Sequence, residues 1–182
     1  GGVRSASLRK LVLNMQWPDE DLLDRLPPQL SILSIKNMTD NVYVLRHSLP
    51  ANLSTLKLAG VALEDACLPN VHTLTMDAVS VAPFVKHGVR ILPSSVDTLV
   101  LKGCDVAAVR GAALHSLGLV RGTVPCVIGV TSLRDVRMIQ VKAPTRYLPT
   151  FLEELAFIDC GDFEQDIGDF GCLRTLGARP WN

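Results

Sequence analysis

A pattern of three apolar positions recurs along the whole chain. Each copy has an apolar residue, two variable residues, a second apolar residue, one variable residue and a third apolar residue, as in Leu53, Leu56 and Leu58. The other copies begin at Leu8, Leu30, Val71, Val96, Leu114, Leu133, Leu152 and Leu173, of which the last is partial. Successive copies start 18 to 25 residues apart. A period of this length indicates a repeat architecture.

The last two apolar residues of each copy flank a single variable residue, which predicts a short strand with one buried face. Leu56 and Leu58 then point to the core, and Thr55 and Lys57 point to the opposite face. The period leaves room for one strand and one return segment per copy, so consecutive strands are expected to be parallel. Because one copy cannot shield its own aliphatic side chains, the stacked array is the expected folding unit.

This pattern resembles the leucine-rich repeat family over about residues 8–177. Leu-Pro pairs lead into several copies, at Leu26-Pro27, Leu49-Pro50, Leu68-Pro69, Leu92-Pro93 and Leu148-Pro149. In this respect the chain is similar to the short repeats of bacterial effector proteins. The resemblance implies an α/β solenoid with a parallel β-sheet on its concave face and return segments that are irregular, extended or short helices. We therefore predict that residues 1–182 form a single array of about nine repeats, as part of a longer chain.

The return segments differ from one copy to the next. The segment PDEDLLDRL, residues 18–26, opens with proline and acidic residues and predicts a short helix. The segment DVAAVRGAAL, residues 105–114, predicts a helical turn before its glycine. The family usually has an asparagine three residues after the last strand leucine. Here those places hold Gln16, Met38, Val61, Val79, Cys104, Gly122, Val141 and Cys160, which predicts irregular bends and uneven curvature.

Charge and composition exclude several classes of partner. Eighteen basic side chains balance eighteen acidic ones, so the composition gives no support for binding nucleic acid. The chain has no apolar run of the roughly 18 residues that a membrane span needs, so we expect no membrane insertion. Five widely spaced cysteines without a C-x-x-C pair favour a reducing, intracellular setting. The Asn-x-Ser/Thr triplets beginning at Asn37 and Asn52 leave glycosylation open. The sequence also leaves the oligomeric state open.

The chemically versatile side chains show no catalytic or metal-binding pattern. Cys104 and Cys160 occupy equivalent repeat positions, where burial in a bend is the expected role. The four histidines lack the spacing of metal ligands. The acidic segment 153–171 does not have the ligand spacing of a calcium loop and predicts a solvated turn. We therefore predict no catalytic residues, no metal, no cofactor and no enzymatic activity.

The remaining candidate site is the sheet face that points away from the core. Its middle is rich in threonine, and charged residues lie toward its two ends. The predicted partner-binding residues are Thr55, Thr73, Thr75, Thr98, Lys36, Lys57, Arg137 and Glu154. Threonine is also a favoured strand residue, so a purely structural role explains the same run. The predicted function is a noncatalytic module that binds another protein on this face; the alternative is a structural subunit buried in a larger assembly.

Overall fold

The computed structural model describes residues 7–16, 20–39, 43–45, 48–63, 70–77, 89–91, 94–104, 108–110, 113–122, 127–128, 130–141, 148–160 and 169–179. These ranges contain short strands and one short helix. In chain order the elements are β1 (Lys10–Met15), α1 (Glu20–Leu23), β2 (Ile32–Asn37), β3 (Tyr43–Leu45), β4 (Thr55–Ala59), β5 (Val61–Leu63), β6 (Thr73–Asp77), β7 (Val89–Ile91), β8 (Thr98–Lys102), β9 (Ala108–Arg110), β10 (Ser116–Val120), β11 (Val127–Ile128), β12 (Asp135–Ile139), β13 (Glu154–Ile158) and β14 (Thr175–Arg179).

One strand from each copy of the apolar pattern joins a single nine-stranded sheet. The strand order is β1-β2-β4-β6-β8-β10-β12-β13-β14, and the described pairs are parallel. Equivalent repeat positions lie in register, so Thr73 pairs with Thr55 on one side and with Thr98 on the other. The chain is thus a parallel β-solenoid, and the predicted repeat array with a parallel sheet is confirmed.

The α/β part of the predicted class is not supported, because the described parts of the return segments contain five short strands and almost no helix. Among the described residues, the four-residue α1 is the one α-helix, and it lies inside the predicted helical segment 18–26. In the other predicted segment, Ala108–Arg110 forms strand β9, while residues 105–107 and 111–112 lie outside the described residues. The described part of the chain contains no helix of the length and hydrophobicity needed to cross a bilayer.

Return strands pair with one another in two further parallel sheets. β11, β9 and β7 form a three-stranded sheet, and β3 pairs with β5. A return segment that is extended advances about 3.3 Å per residue, as the strand beside it does. It also satisfies part of its backbone by pairing with the return strand of a nearby copy.

The core lies on the inner side of the nine-stranded sheet. Along β4, β6, β8 and β10, partly exposed or exposed residues alternate with buried ones. Leu56 and Leu58 are 0% and 2% exposed, and Leu117 and Leu119 are fully buried. The first, third and fifth residues of each strand in the nine-stranded sheet therefore form the opposite surface of this sheet, which is termed here the outward face.

A repeated hydrogen bond holds neighbouring copies in register where each strand begins. The carbonyl oxygen of Ser54, for example, accepts hydrogen bonds from the backbone N–H groups of His72 (2.9 Å) and Thr73 (3.0 Å). Seven other carbonyl oxygens also accept hydrogen bonds from two consecutive N–H groups of the next copy, those of Arg9, Ser31, His72, Asp97, His115, Arg134 and Glu153. Because each carbonyl binds two consecutive N–H groups, a shift of one copy by one residue would break both bonds.

The bends after five strands of the nine-stranded sheet have the same backbone conformation. Gly60, Gly103, Arg121, Gln140 and Asp159 each follow directly after a strand and have φ values of 64°, 58°, 52°, 55° and 52°. Four of these residues donate a backbone hydrogen bond to the last strand residue of the next copy, as Gln140 does to Ile158 at 2.8 Å. The irregularity predicted from the missing asparagines is therefore not seen at these five bends, because left-handed backbone makes the turn instead.

Candidate functional site

All eight predicted site residues lie on the outward face. Thr55, Thr73, Thr98 and Glu154 begin their strands; Lys57, Thr75 and Arg137 are third residues; Lys36 is the fifth residue of β2. The threonines are half-buried, and the charged residues are exposed. The structure divides the charged residues into two groups with different surroundings. Lys36 and Lys57 lie toward one end of the sheet, and Arg137 and Glu154 lie toward the other.

The threonines form a continuous platform in the middle of the face. Thr55, Thr73 and Thr98 are neighbours on adjacent strands, which lie about 4.8 Å apart in a sheet. Thr75 pairs in register with Lys57. The Thr98 hydroxyl donates to the Asp97 carboxylate at 2.8 Å.

The other hydroxyl groups of the platform differ from that of Thr98. The side chains of Thr55, Thr73 and Thr75 make no hydrogen bond with any residue that the structure describes. Cross-strand hydrogen bonding therefore does not account for threonine at these three positions. Strand propensity still favours the residue type, but the hydroxyl donors and acceptors remain available to a partner.

Two lysines at one side of the platform have no acidic partner among the residues that the structure describes. Ser34 pairs with Lys57, and Lys36 pairs with Ala59, which makes the two lysines diagonal neighbours on β2 and β4. Diagonal side chains of this kind lie about 7–8 Å apart at the backbone. Neither ammonium group forms an ion pair within the described ranges. This end of the face therefore carries uncompensated positive charge.

Arg137, by contrast, is already paired. Its guanidinium lies 3.5 Å from the Asp135 carboxylate and 3.7 Å from that of Glu154. The Ser116 hydroxyl donates to Asp135 Oδ2 at 3.0 Å, while Asp135 Oδ1 is buried without a hydrogen bond among the described atoms. Each exposed ion pair is worth at most about 1 kcal/mol. Arg137 is therefore already paired before any partner arrives, and the group of three side chains carries one net negative charge.

A second ionic group lies at the residues that precede the strands. Glu153 bridges two arginines, with distances of 3.6 Å to Arg134 and 3.6 Å to Arg174. The Arg134 guanidinium also lies 5.0 Å from the centre of the Phe151 ring, within the range of a cation–π contact. This network is structural in character, because every charge in it has a partner of the opposite sign.

One feature of the outward face was missed by the sequence analysis. Val120, Ile139 and Ile158 are the fifth residues of β10, β12 and β13, and they pair in register with one another. All three are partly exposed, and together they are termed here the aliphatic strip. The signal was present, because a five-residue strand has a third outward position one residue after its last buried side chain. Apart from Lys36, the predicted site residues all come from the first two outward positions.

Cysteine side chains take part in the bends. Cys104 is 2% exposed, and its sulfur lies 3.3 Å from the carbonyl oxygen of Lys102 and 3.6 Å from that of Met76. Cys160, which is partly exposed, makes the equivalent contacts with Met138 at 3.2 Å and Ile158 at 3.4 Å. The predicted placement of both thiols in bends is confirmed, with Cys104 the more deeply buried.

The chain's remaining candidate chemistry is dispersed. His72 Nδ1 lies 3.4 Å from Asp97, and His115 Nδ1 lies 2.6 Å from the carbonyl oxygen of Ala113; both imidazoles are exposed. Within the described ranges, no three His, Cys, Asp or Glu side chains are grouped as a metal site would require. The other cysteines and histidines of the sequence analysis, except the exposed Cys172, lie outside the described residues, as do residues 161–168 of the acidic segment.

Comparison of the chain with protein-family models, curated proteins and solved structures gives no match. The resemblance to leucine-rich repeats therefore rests on the recurring apolar pattern and stays a prediction. Function has to be argued from the outward face itself, since a fold alone does not specify an activity.

Proposed function

We propose that this chain is a noncatalytic recognition module of the leucine-rich repeat type that binds another protein on its outward face. The repeat type is supported by the apolar pattern, which supplies two core residues to the strand of each of the eight complete copies. The binding role is supported chiefly by one observation. Three half-buried threonines whose hydroxyls have no partner among the described residues lie beside two unpaired lysines.

The energetics of these groups favour a partner over a purely structural role. An unpaired lysine on a sheet contributes little to the free energy of folding, and two diagonal lysines repel each other. Partly buried hydroxyls without hydrogen bonds likewise contribute little. A polypeptide laid on this face would give both groups the partners that the fold does not provide.

The proposal is tested by blocking the face with one bulky side chain. Thr75→Arg places an arginine in the middle of the platform, and Thr150→Arg makes the same chemical change at an exposed turn residue between β12 and β13. Both variants and the unmodified chain are immobilised, incubated with extract of the source organism and crosslinked, and captured proteins are quantified by mass spectrometry. We expect Thr75→Arg to lose specific proteins that Thr150→Arg retains. Equal capture by the two folded variants would contradict the proposal.

A structural subunit is the second candidate, favoured by apolar side chains that are exposed at the edge strands of the sheet. Leu176 on β14 is 46% exposed, and Val12 on β1 is 54% exposed. In an assembly, neighbouring subunits would cover these residues. Loss of captured proteins in Leu176→Glu, with no loss in Thr75→Arg, would favour this candidate over recognition on the outward face.

A further inference from the structure

The outward face has a strong excess of positive charge on its first five strands. The outward positions of β1, β2, β4, β6 and β8 include four lysines, Lys10, Lys36, Lys57 and Lys102, and one acidic residue, Asp77. Asp77 pairs in register with Lys102, so the outward positions of β1, β2 and β4 hold no acidic residue beside their three lysines. A partner that covers this region has to supply carboxylates, because burying an ammonium group without an opposite charge is costly.

The aliphatic strip lies on the far side of the same face. Ile139, at its centre, is on β12, which is four strands from β4 and Lys57 in the sheet order. At about 4.8 Å per strand, the two features are about 19 Å apart. Arg137, which lies beside the strip, is paired with two carboxylates. The charges that border the strip are therefore already paired, with one carboxylate in excess, and an apolar side chain can be buried on the strip without separating an ion pair.

The floor between the two features is made of small side chains. Along the second outward position it runs from Thr75 through Val100 to Gly118, and these residues pair in register. Gly118 has no side chain, and a Cβ atom there would lie 3.4 Å from a methyl group of Val100. Small residues allow another backbone to approach the sheet closely, and the threonine hydroxyls can then bind its peptide groups.

From these features we propose that the outward face binds an extended, acidic segment of a partner protein lying across the strands. Carboxylates of the segment lie over Lys36 and Lys57, and an aliphatic side chain of the same segment lies on the aliphatic strip. Since an extended chain advances about 3.3 Å per residue, a distance of about 19 Å corresponds to about six residues. This inference rests on the proposed function and specifies the chemistry and spacing of its partner.

The test uses synthetic peptides of about twelve residues, each with a Glu-Glu pair and a single Leu at a separation that varies from one to about ten residues. Binding to the full chain is measured by fluorescence anisotropy. We expect the tightest binding near a separation of six, weakening as the salt concentration rises. A matched series in which lysines replace the glutamates is expected not to bind.

Four variants assign the two contacts. Lys57→Glu is expected to weaken the best peptide by about tenfold, and Arg25→Glu, which makes the same change in charge in the turn after α1, is expected to leave it unchanged. Ile139→Thr keeps the branched side chain that favours a strand but removes apolar surface, and it is expected to weaken the peptide of the best separation more than peptides of the other separations. Val120→Thr repeats this measurement should Ile139→Thr lower the stability of the fold.

The outcomes separate this inference from the proposed function. Affinities that do not depend on the Glu-to-Leu separation, or that fall equally in Lys57→Glu and Arg25→Glu, overturn the inference. Absence of peptide binding while Thr75→Arg still loses its captured proteins overturns the inference and leaves the recognition function standing. Absence of both effects overturns both.

Discussion

Gly122 and Cys104 approach each other so closely that a Cβ atom built on Gly122 would lie 2.2 Å from the carbonyl oxygen of Cys104. The two residues follow the bends of neighbouring copies, and both are buried. The contact is with backbone, so a side chain at residue 122 forces the two copies apart. We predict that Gly122→Ala lowers the free energy of unfolding by about 1–3 kcal/mol or more, measured by urea denaturation.

Gly171→Ala is the matched control for this substitution. A Cβ atom at Gly171 meets no atom within 4 Å, so the same chemical change there creates no clash. We expect its effect to be about 1 kcal/mol or less, and stabilising where the backbone accepts alanine, because the unfolded chain loses conformational freedom. Equal destabilisation by the two alanines would mean that the close approach of the two copies does not limit the fold.

The left-handed bend residues give a prediction of the opposite sign. Gln140 has a φ of 55°, a conformation that costs a residue with a Cβ atom about 1–2 kcal/mol. Glycine removes this strain but adds about 0.4–1 kcal/mol of entropy cost through the unfolded state. Gln140→Gly is therefore expected to raise the free energy of unfolding by about 0.5–1 kcal/mol. Gln140→Ala, which keeps the Cβ atom, provides the comparison in the same urea experiment, and an equal gain would rule out relief of backbone strain.

The sequence pattern predicted the parts of the fold that depend on the period. Leu56 and Leu58 recur in equivalent form in copy after copy, and stacking such copies permits one arrangement of parallel strands. For this reason the alignment of Thr55, Thr73 and Thr98 followed from the sequence and is confirmed. The eight predicted site residues were placed on one face by the same alternation.

The pairing of the return strands and the backbone conformation of the bends could not be predicted from the period. Strand β3 has three residues, too few to show an alternating pattern, and its pairing with β5 depends on the stacking that brings the two together. Arg121 and Gln140 have left-handed backbone, but arginine and glutamine are not residue types from which a left-handed bend would be predicted. The division of the site also needed the structure, because sequence spacing does not show that Arg137 reaches two carboxylates while Lys57 reaches none that is described.

Asn37 supplies the next prediction, because its side chain joins two copies. It is 4% exposed; its Nδ2 donates to the carbonyl oxygen of Gly60 at 3.1 Å, and its Oδ1 accepts from the Thr39 hydroxyl at 2.9 Å. Replacement by alanine leaves the Gly60 carbonyl without this donor. We predict that Asn37→Ala lowers the free energy of unfolding by about 1–3 kcal/mol in urea denaturation.

Asn52→Ala is the control for that substitution. Asn52 makes a similar hydrogen bond, from Nδ2 to the carbonyl oxygen of Pro28 at 3.0 Å, but it is exposed. Water can replace the lost bond there, so the expected change is about 0.5 kcal/mol or less. A loss for Asn52→Ala as large as that for Asn37→Ala would show that burial does not set the cost of these bonds.

The two ends of the outward face should respond differently to charge reversal. Arg137→Glu places a third carboxylate between Asp135 and Glu154, so both existing ion pairs become repulsions. We predict a loss of about 1–2 kcal/mol in the free energy of unfolding, reduced at high salt. Lys57→Glu breaks no ion pair with a described residue and is expected to change the free energy of unfolding by less than about 0.5 kcal/mol. Urea denaturation at low and high salt measures both variants, and comparable losses would show that Lys57 has a structural partner. Lys57 is thus the cleaner position at which to test partner binding, since its reversal separates recognition from stability.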